Sequence, residues 1–385
     1  MGVCQILLLC TFIVILAALA ILGSLQESSS RASSSPRLVE DHNIDLWSFH
    51  AVPFDIAAPS SLSSKYGMTP ASWMRAARRR PRLTLKLVSG VSSPLPMVVV
   101  LPGGGWTWLN TEKEGRPVCR WLNAARMHCA IVEYRTLRTH PAPFLDARRA
   151  IQLVRQNAAV WGVDPQRVVI MGFSAGGHTA GLAALSWDAA EARQSDRALQ
   201  AAGDSASSQR ARPDAAVLAY PGVRPPGVGA RYWEILLGEP PRADIAMDIA
   251  RGGGEKVTAL RSALRRAAIS LDWLAARSEL PPPLFMWHTM ADTVVPANST
   301  RLLAAALEAR GSSVEAHLFE GPLKHGVALA YGKRTRGRAV ARWTRLCRDW
   351  MRHSLGPANG RMSRGRARAV PLLARPGHAV TVWPW

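Results

Sequence analysis

The feature that most constrains the fold is a β-branched apolar run, residues 168–171, which leads into Gly172-x-Ser174-x-Gly176 and then an Ala-rich stretch. The run predicts a buried strand and the stretch after it predicts a helix, so the serine lies at the turn between them. A sharp turn of this kind needs small residues two before and two after the serine, because neighbouring backbone would otherwise collide. The pattern therefore predicts an exposed Ser174 that can act as a nucleophile.

A nucleophilic serine needs a base to take its proton, and the base needs a carboxylate to orient it. On a strand–turn–helix serine the chain order is Ser, then acid, then His. That order selects Asp292, in the loop after the apolar strand predicted at 283–288, and His325, in the loop after the strand predicted at 314–319. Taken singly, each could be an ordinary loop acid or a surface histidine; the context of the serine turn favours a Ser174, Asp292, His325 triad.

The same order excludes as the base the histidines that precede Asp292, and the predicted location disfavours the others that follow it. His288 precedes the acid, His317 lies inside a predicted strand, and the remaining ones stand before or directly after the serine turn or near the C-terminus. These are His42, His50, His128, His140, His178, His353 and His378.

Three glycines, residues 103–105, follow another buried-type strand predicted at 97–101. Acyl transfer develops an oxyanion that preorganised backbone N–H groups must face, and glycines let the backbone come close. A flexible turn is the alternative interpretation. The position of the glycines between a strand and a helix, upstream of the serine turn, favours an oxyanion hole.

Short motifs continue in one order between about residue 82 and about residue 330. They occupy residues 102–106, 113–115, 133–135, 146–151, 161–165, 172–178, 220–221, 287–289 and 325–326. In this order and spacing the chain resembles the α/β-hydrolase esterases of the BD-FAE and acetyl-xylan-esterase type, relatives of the hormone-sensitive-lipase-like carboxylesterases.

The resemblance implies an oxyanion hole made by the amides of Gly104, Gly105 and Ala175, and it implies no cofactor and no metal. Three positions depart from the family's pattern. Pro102 stands where the lipase-like branch has His, which fits the xylan-esterase-like branch better. Lys324 precedes the base, and Ala291 stands beside Asp292 where the family often has a second acid. None of these changes removes a catalytic group.

Strand and helix patterns alternate after Met97, which predicts an α/β-hydrolase fold with a mostly parallel, doubly wound sheet and helices on both faces. One helix is predicted from apolar residues at three- and four-residue steps, ended by Asp164-Pro165. Those residues are Phe144, Ala147, Ile151, Val154, Ala158 and Trp161. We expect one catalytic domain over residues 46–355, preceded by a Ser-rich linker over 26–45 and followed by a basic, disordered tail over 356–385.

Residues 6–22 are apolar and uncharged, with no Lys or Arg before them. A buried soluble helix is the third choice, because a Ser-rich linker follows at once. The segment favours a signal anchor or uncleaved signal within residues 1–25 slightly over a cleaved signal peptide. Either interpretation places the catalytic domain in a secretory lumen or outside the cell, and the anchor would make the membrane a partner. N-terminal lipidation is disfavoured because Ile6 stands where Ser or Thr is expected.

Outside that segment the chain has Cys119, Cys129 and Cys347, and a bridge between the first two would join a predicted helix to a predicted strand. No metal-ligand spacing is present. Asn298-Ser299-Thr300 is a glycosylation sequon, with a helix N-cap as the competing role of Asn298.

The formal net charge is +21 and the pI is near 11.1. No nucleic-acid motif accompanies the basic residues, so we expect no specific nucleic-acid partner and favour anionic polysaccharide or acidic lipid headgroups. Residues 189–212 predict a surface insertion. Residues 220–281 predict either an aromatic pocket wall or simple packing, and they contain Trp233, Leu236, Leu237, Met247 and Trp273.

Together these features predict a serine carboxylic-ester hydrolase that acts through an acyl-enzyme on short acyl esters, such as acetylated or feruloylated carbohydrate. An amidase or peptidase could use the same triad, because the serine turn does not distinguish an ester from an amide. A non-catalytic binding protein is disfavoured, since every expected catalytic position is filled.

Overall fold

A β-sheet lies at the centre of the structure, which is a computed structural model. The described residues are 42–47, 52–58, 63–225, 233–238, 263–278, 281–332, 335, 338–356 and 380–383. The strands of its single sheet are β1 (His42–Asp45), β2 (Arg82–Lys86), β3 (Leu95–Leu101), β4 (His128–Glu133), β5 (Val163–Phe173), β6 (Ala215–Ala219), β7 (Leu284–Thr289), β8 (Val314–Phe319) and β9 (Val380–Trp383).

The strand order is β1-β2-β4-β3-β5-β6-β7-β8-β9. Neighbours from β4 to β9 pair in parallel, whereas β2 pairs antiparallel with both β1 and β4. The connection after β3 runs over one face of the sheet and the connection after β5 runs over the other. The carboxyl ends of β3 and β5 therefore form a topological switch point, where open α/β sheets bind their ligands.

Helices cover both faces of the sheet. They are α1 (Pro70–Ala77), α2 (Thr111–Glu114), α3 (Arg116–Ala124), α4 (Ala142–Gln156), α5 (Ala175–Leu185), α6 (Ala190–Ala201), α7 (Trp233–Leu237), α8 (Leu271–Ala275), α9 (Ala297–Glu308) and α10 (Trp343–Leu355). Short 3-10 helices occupy Ser64–Tyr66, Ser205–Ser208 and Ala339–Arg342.

The core divides into two apolar clusters, one on each side of the sheet. Met97, Val99 and Leu101 of β3 pack with α4, α5 and α9, while Val98 and Val100 pack with α3 and α10. Because β3 is buried on both faces, it has the continuous apolar sequence typical of a central parallel strand. The predicted α/β-hydrolase architecture is confirmed.

Element boundaries differ from the sequence expectation at three places. The linker predicted over 26–45 contributes β1 from residue 42, and the tail predicted over 356–385 contributes β9, which pairs with β8. The helix predicted to continue to Trp161 ends at Gln156 in α4, because residues 157–162 form turns before β5. The rest of the linker and tail, and residues 1–41, lie outside the described residues.

Cys119 of α3 and Cys129 of β4 form a disulfide, so the bridge that the sequence allowed is present. Cys347 is a buried free thiol in α10. Among the described residues, no helix is both long and apolar enough to cross a membrane.

The predicted insertion at 189–212 is tied to α4 by ion pairs. Arg148 and Arg149 bind the carboxylates of Asp196 and Asp204 at 2.8 and 2.6 Å. Arg155, also of α4, forms an ion pair with Asp214, two residues after the segment, at 2.8 Å. All three arginine side chains are at most 6% exposed, so this segment is part of the packed domain and not a loose excursion.

A more deeply buried ion pair joins the loop after β4 to α4. The Asp146 carboxylate accepts hydrogen bonds from the Arg135 guanidinium at 2.8 Å, from the Arg135 amide at 2.8 Å and from the Trp47 indole at 2.7 Å. The Arg135 and Asp146 side chains are 2% and 0% exposed. Removing Arg135 would leave the Asp146 carboxylate buried without an ion-pair partner among the described residues, and removing Asp146 would leave Arg135 with Asp55 alone, at 3.5 Å.

We predict that Asp146→Ala lowers the free energy of unfolding by about 3 kcal/mol, because the buried Arg135 guanidinium would lose its nearest carboxylate and keep only Asp55, at 3.5 Å. Denaturant unfolding of both proteins measures the difference. Glu112→Ala, which breaks an exposed pair with Arg116, is the matched control and should cost under about 0.5 kcal/mol. Equal effects of the two changes would contradict the argument.

Candidate active site

Ser174 lies between β5 and α5 with φ of 53° and ψ of −119°, outside the regions that non-glycine residues favour. The turn is closed by glycines that leave no room for a side chain. A Cβ on Gly172 would lie 2.1 Å from the carbonyl oxygen of Gly176, and a Cβ on Gly176 would lie 2.2 Å from the carbonyl oxygen of Leu101. The two flanking glycines thus permit the strained backbone that exposes the serine.

Three loops at the carboxyl ends of β5, β7 and β8 bring the predicted triad residues together. The Oγ atom of Ser174 lies 2.7 Å from Nε2 of His325. The Nδ1 atom of His325 lies 2.6 Å from Oδ2 of Asp292. Because a carboxylate only accepts, Nδ1–H donates to Asp292, and Nε2 is left to accept the serine proton.

The Asp292 carboxylate receives four hydrogen bonds. Its Oδ1 accepts from the amides of Val294 and Val295, both at 2.9 Å. Its Oδ2 accepts from His325 and from His288 at 3.1 Å. Burial alone would raise the pKa of Asp292, but the hydrogen bonds from His288 and His325 and the charge of His325 outweigh it and hold that pKa well below its usual value.

His288 is a second partner of the acid that the sequence reasoning missed. Its Nε2 faces two acceptors, Asp292 and the carbonyl oxygen of Val295, so this nitrogen carries the proton. Its Nδ1 lies 2.8 Å from the hydroxyl of Thr300, which donates to it. The chain order excludes His288 as the base, and its position at the end of β7, four residues before the acid, was the available sign of this supporting contact.

The glycine loop after β3 lies beside Ser174. Its first amide, from Gly103, donates to Oε2 of Glu114 at 2.8 Å. Gly104 has a φ of 134°, and a Cβ there would meet the carbonyl oxygen of Trp108 at 2.1 Å. Within the described part of the chain, the amides of Gly104, Gly105 and Ala175 have no hydrogen-bond acceptor, as an oxyanion hole requires.

Glu114 and Tyr220 form a buried contact next to this loop. The Tyr220 hydroxyl donates to Oε1 of Glu114 at 2.7 Å and accepts from the amide of Ala328 at 3.1 Å. Both residues belong to the short motifs of the sequence, at 113–115 and 220–221, but neither was assigned a role from the sequence. Their connection depends on side chains from loops after different strands.

The site opens into a cavity of about 680 Å³. Its apolar wall is formed by Trp106, Trp108, Trp233, Val294 and Leu302. Its polar lining comes from Asn110, Arg224, Asn298 and Ser299, and Arg224 forms an ion pair with Asp272.

His178 supports the cavity from behind. Its ring packs edge-on against Trp106 at 5.5 Å and Trp233 at 4.7 Å. Burial lowers the pKa of His178 to about 3, although a hydrogen bond to the carbonyl oxygen of Gly222 opposes the shift. The ring is therefore neutral and holds the two tryptophans in place.

Of the residues that the sequence suggested for an aromatic pocket wall, the structure places one in the cavity wall, two in the core and one at the surface. Trp233 lines the cavity, whereas Leu236 and Leu237 pack in the core. Trp273 is 40% exposed beneath the Arg277 guanidinium, and Met247 lies outside the described residues. Asn298 is not a helix cap, since α9 begins at Ala297; its Oδ1 accepts from Arg301 within the helix.

Comparison with known proteins gives consistent findings. A family model described as BD-FAE matches residues 83–221. The crystal structure of an acetyl ester-xyloside bifunctional hydrolase from Caldicellulosiruptor lactoaceticus is 30% identical, covers 80% of this chain and 94% of that one, and superposes with a TM-score of 0.60.

Two curated relatives match over shorter parts of their length. Endo-1,4-beta-xylanase B of Butyrivibrio fibrisolvens is 27% identical over 60% of this chain and 32% of its own length. Esterase LipQ of Mycobacterium tuberculosis is 29% identical over 63% of this chain and 52% of its own length. The chain thus spans about a third to a half of these two relatives.

Proposed function

The chain belongs to the α/β-hydrolase esterases of the BD-FAE and acetyl-xylan-esterase type, and we propose that it hydrolyses short acyl esters of carbohydrate through Ser174, His325 and Asp292. The observation that carries the proposal is the continuous line of hydrogen bonds from Ser174 through His325 to Asp292. No cofactor enters the proposed reaction.

In the first half-reaction, Nε2 of His325 takes the proton of Ser174 as Oγ attacks the ester carbonyl carbon. The carbonyl oxygen becomes an oxyanion that accepts hydrogen bonds from the amides of Gly104, Gly105 and Ala175. The C–O bond to the alcohol then breaks, and His325 returns the proton to the departing alkoxide. The products are the free alcohol and an acyl group on Oγ.

In the second half-reaction, His325 takes a proton from water, whose oxygen attacks the acyl carbon. Collapse of this second tetrahedral intermediate breaks the bond to Oγ, which regains its proton from His325, and releases the carboxylic acid. Asp292, ionised because of its four donors, stabilises the imidazolium in both halves.

The preference for a carbohydrate alcohol is supported by the outer part of the cavity. Trp108 is 57% exposed and lines the cavity together with Asn110, a combination of flat apolar surface and a polar group that suits a sugar ring. A second cavity of about 400 Å³ shares Trp108 and is also lined by Tyr66, Arg79 and Thr136. The relative from Caldicellulosiruptor lactoaceticus, by its name, acts on acetyl esters and xylosides.

We also propose that the domain works in an oxidising compartment, to which the segment at 6–22 delivers it. The Cys119–Cys129 disulfide supports this location, because such bonds persist in secreted and lumenal proteins. The segment itself lies outside the described residues, and its apolar sequence is its support.

For the reaction, we predict that Ser174→Ala lowers kcat on p-nitrophenyl acetate by about 10⁴-fold or more, because no other group can form the acyl-enzyme. Rates across acetate to octanoate esters would define the acyl preference, with an aminoacyl p-nitroanilide measured alongside. Ser186→Ala, at the far end of α5, is the matched control and should retain the activity. Faster turnover of the anilide than of every ester would replace the esterase proposal with an amidase.

For the alcohol side, we predict that Trp108→Ala raises KM for an acetylated xylo-oligosaccharide by about tenfold, equivalent to losing one aromatic contact. Hydrolysis of ethyl acetate, whose alcohol is too short to rely on that ring, should change little. Trp108→Phe keeps an aromatic face and should restore most of the affinity. Equal effects of Trp108→Ala on both substrates would remove the argument for a sugar at this position.

For location, we predict that the full chain expressed in a eukaryotic cell resists carbonate extraction from membranes and loses mass on endoglycosidase treatment. The glycan would be on Asn298, which is exposed in α9, and Asn298→Gln is the control. Recovery in the soluble fraction with reduced Cys119 and Cys129 would contradict the proposal.

A further inference from the structure

Glu114 is a carboxyl group buried in the site, and neutral hydrogen-bond donors reach both of its oxygens. The residue is 2% exposed, lines the main cavity, and has no ion pair with Lys or Arg within the described part of the chain. Burying a carboxyl group costs free energy unless hydrogen bonds satisfy its oxygens. Two neutral donors, the Gly103 amide and the Tyr220 hydroxyl, satisfy these oxygens, and they show which parts of the site the carboxyl group connects.

The first donor is the Gly103 amide, 2.8 Å from Oε2. The Gly103 amide directly precedes the amides of Gly104 and Gly105, which are proposed to bind the oxyanion. The contact therefore fixes the start of the glycine loop. The contact is close on all sides, because a Cβ on Gly103 would lie 2.8 Å from Oε2 and 3.0 Å from Cβ of Ser174. Position 103 therefore has no room for a side chain between Glu114 and the serine.

The second donor is the Tyr220 hydroxyl, 2.7 Å from Oε1. Tyr220 follows β6 with a φ of 37°, and its own amide is bound to the carbonyl oxygen of Trp287. Its hydroxyl oxygen accepts the amide of Ala328, three residues after His325. Its ring also packs edge-on against the ring of His325, with centroids 5.0 Å apart.

These contacts form one connected path: the Gly103 amide, the Glu114 carboxyl, the Tyr220 hydroxyl and the Ala328 amide. The path joins the loop after β3, the loop after β6 and the loop after β8. Ser174 lies next to the glycine loop, whereas the hydrogen bonds of His325 and Asp292 join them to each other, to Ser174, to His288 and to the amides of residues 294–295. The path therefore supplies a mechanical link between the oxyanion donors and the base.

We propose that Glu114 is a positioning residue that aligns the glycine-loop amides with the base loop through Gly103 and Tyr220, an inference that rests on the proposed esterase reaction. Glu114 itself does not bond to the reacting atoms in this role. Its carboxyl accepts from both loops at once, and an isosteric amide cannot do so. In Glu114→Gln the new NH2 group faces either the Gly103 amide, which only donates, or the Tyr220 hydroxyl, which then loses the acceptor for its own proton.

The test compares Glu114→Gln, Tyr220→Phe and the unchanged full chain on p-nitrophenyl acetate. Oxyanion stabilisation acts in the transition state, so we expect Glu114→Gln to lower kcat by about 10- to 100-fold with KM within about threefold. Tyr220→Phe keeps the ring against His325 and removes only the hydroxyl, and should lower kcat by about tenfold. The Ki of a boronic acid that forms a tetrahedral adduct on Ser174 should rise in parallel with each loss of kcat.

Glu112→Gln is the matched control, since it makes the same chemical change on the same short helix at an exposed side chain. Its kcat should equal that of the unchanged chain. In the double variant Glu114→Gln/Tyr220→Phe, the loss should be less than the product of the single losses, because both residues belong to one path.

A merely structural role would lower Tm but leave kcat and the boronic-acid Ki unchanged at a temperature well below unfolding. Folded Glu114→Gln and Tyr220→Phe variants with kcat within about twofold of the unchanged chain would overturn the inference. If Glu114→Gln does not fold, Tyr220→Phe alone decides by the same criteria. Absence of Ser174-dependent ester hydrolysis by the unchanged chain would instead remove the proposed function.

Discussion

The site depends on the close approach of backbone around Ser174. In the turn between β5 and α5, the carbonyl oxygen of Gly176 occupies the space that a side chain on residue 172 would need. The carbonyl oxygen of Leu101, at the end of β3, likewise occupies the space that a side chain on residue 176 would need. This contact fixes the start of α5 beside the glycine loop. The proposed nucleophile and the proposed oxyanion donors are therefore positioned by one packing constraint, and the remaining groups approach them from later strands.

Strand order explains why distant parts of the sequence meet there. Parallel strands β3, β5, β6, β7 and β8 deliver their carboxyl ends to the same edge of the sheet. Each following loop then contributes a separate group: amides, hydroxyl, phenol, carboxylate and imidazole. Farther from the site, the buried pair of Arg135 with Asp146 joins α4 to the loop after β4.

The sequence predicts the part of the site that follows from local pattern and chain order. The strand–turn–helix context identifies Ser174, and the order rule selects Asp292 and His325, which the structure brings within hydrogen-bonding distance. It does not predict the contacts of Glu114, because these depend on groups that follow different strands, and it passes over His288 because the order rule considers a histidine only as the base. Similarly, β9 lies in a region of Gly-, Pro- and Arg-rich composition that predicted a disordered tail. It forms a strand by pairing with β8, a contact between distant parts of the chain.

Two carboxyl groups in one site have their pKa values moved in opposite directions, and the cause is the number and kind of their partners. Asp292 is surrounded by two amides and two imidazoles, which together outweigh its burial and keep it charged beside His325. For Glu114 burial is the larger effect and raises its pKa, although Tyr220, Gly103 and His325 oppose the rise. Environments that separate acid strengths in this way are typical of functional sites. The difference agrees with a division of labour in which Asp292 stabilises the charge that forms on the imidazole, while Glu114 acts through the loops it holds.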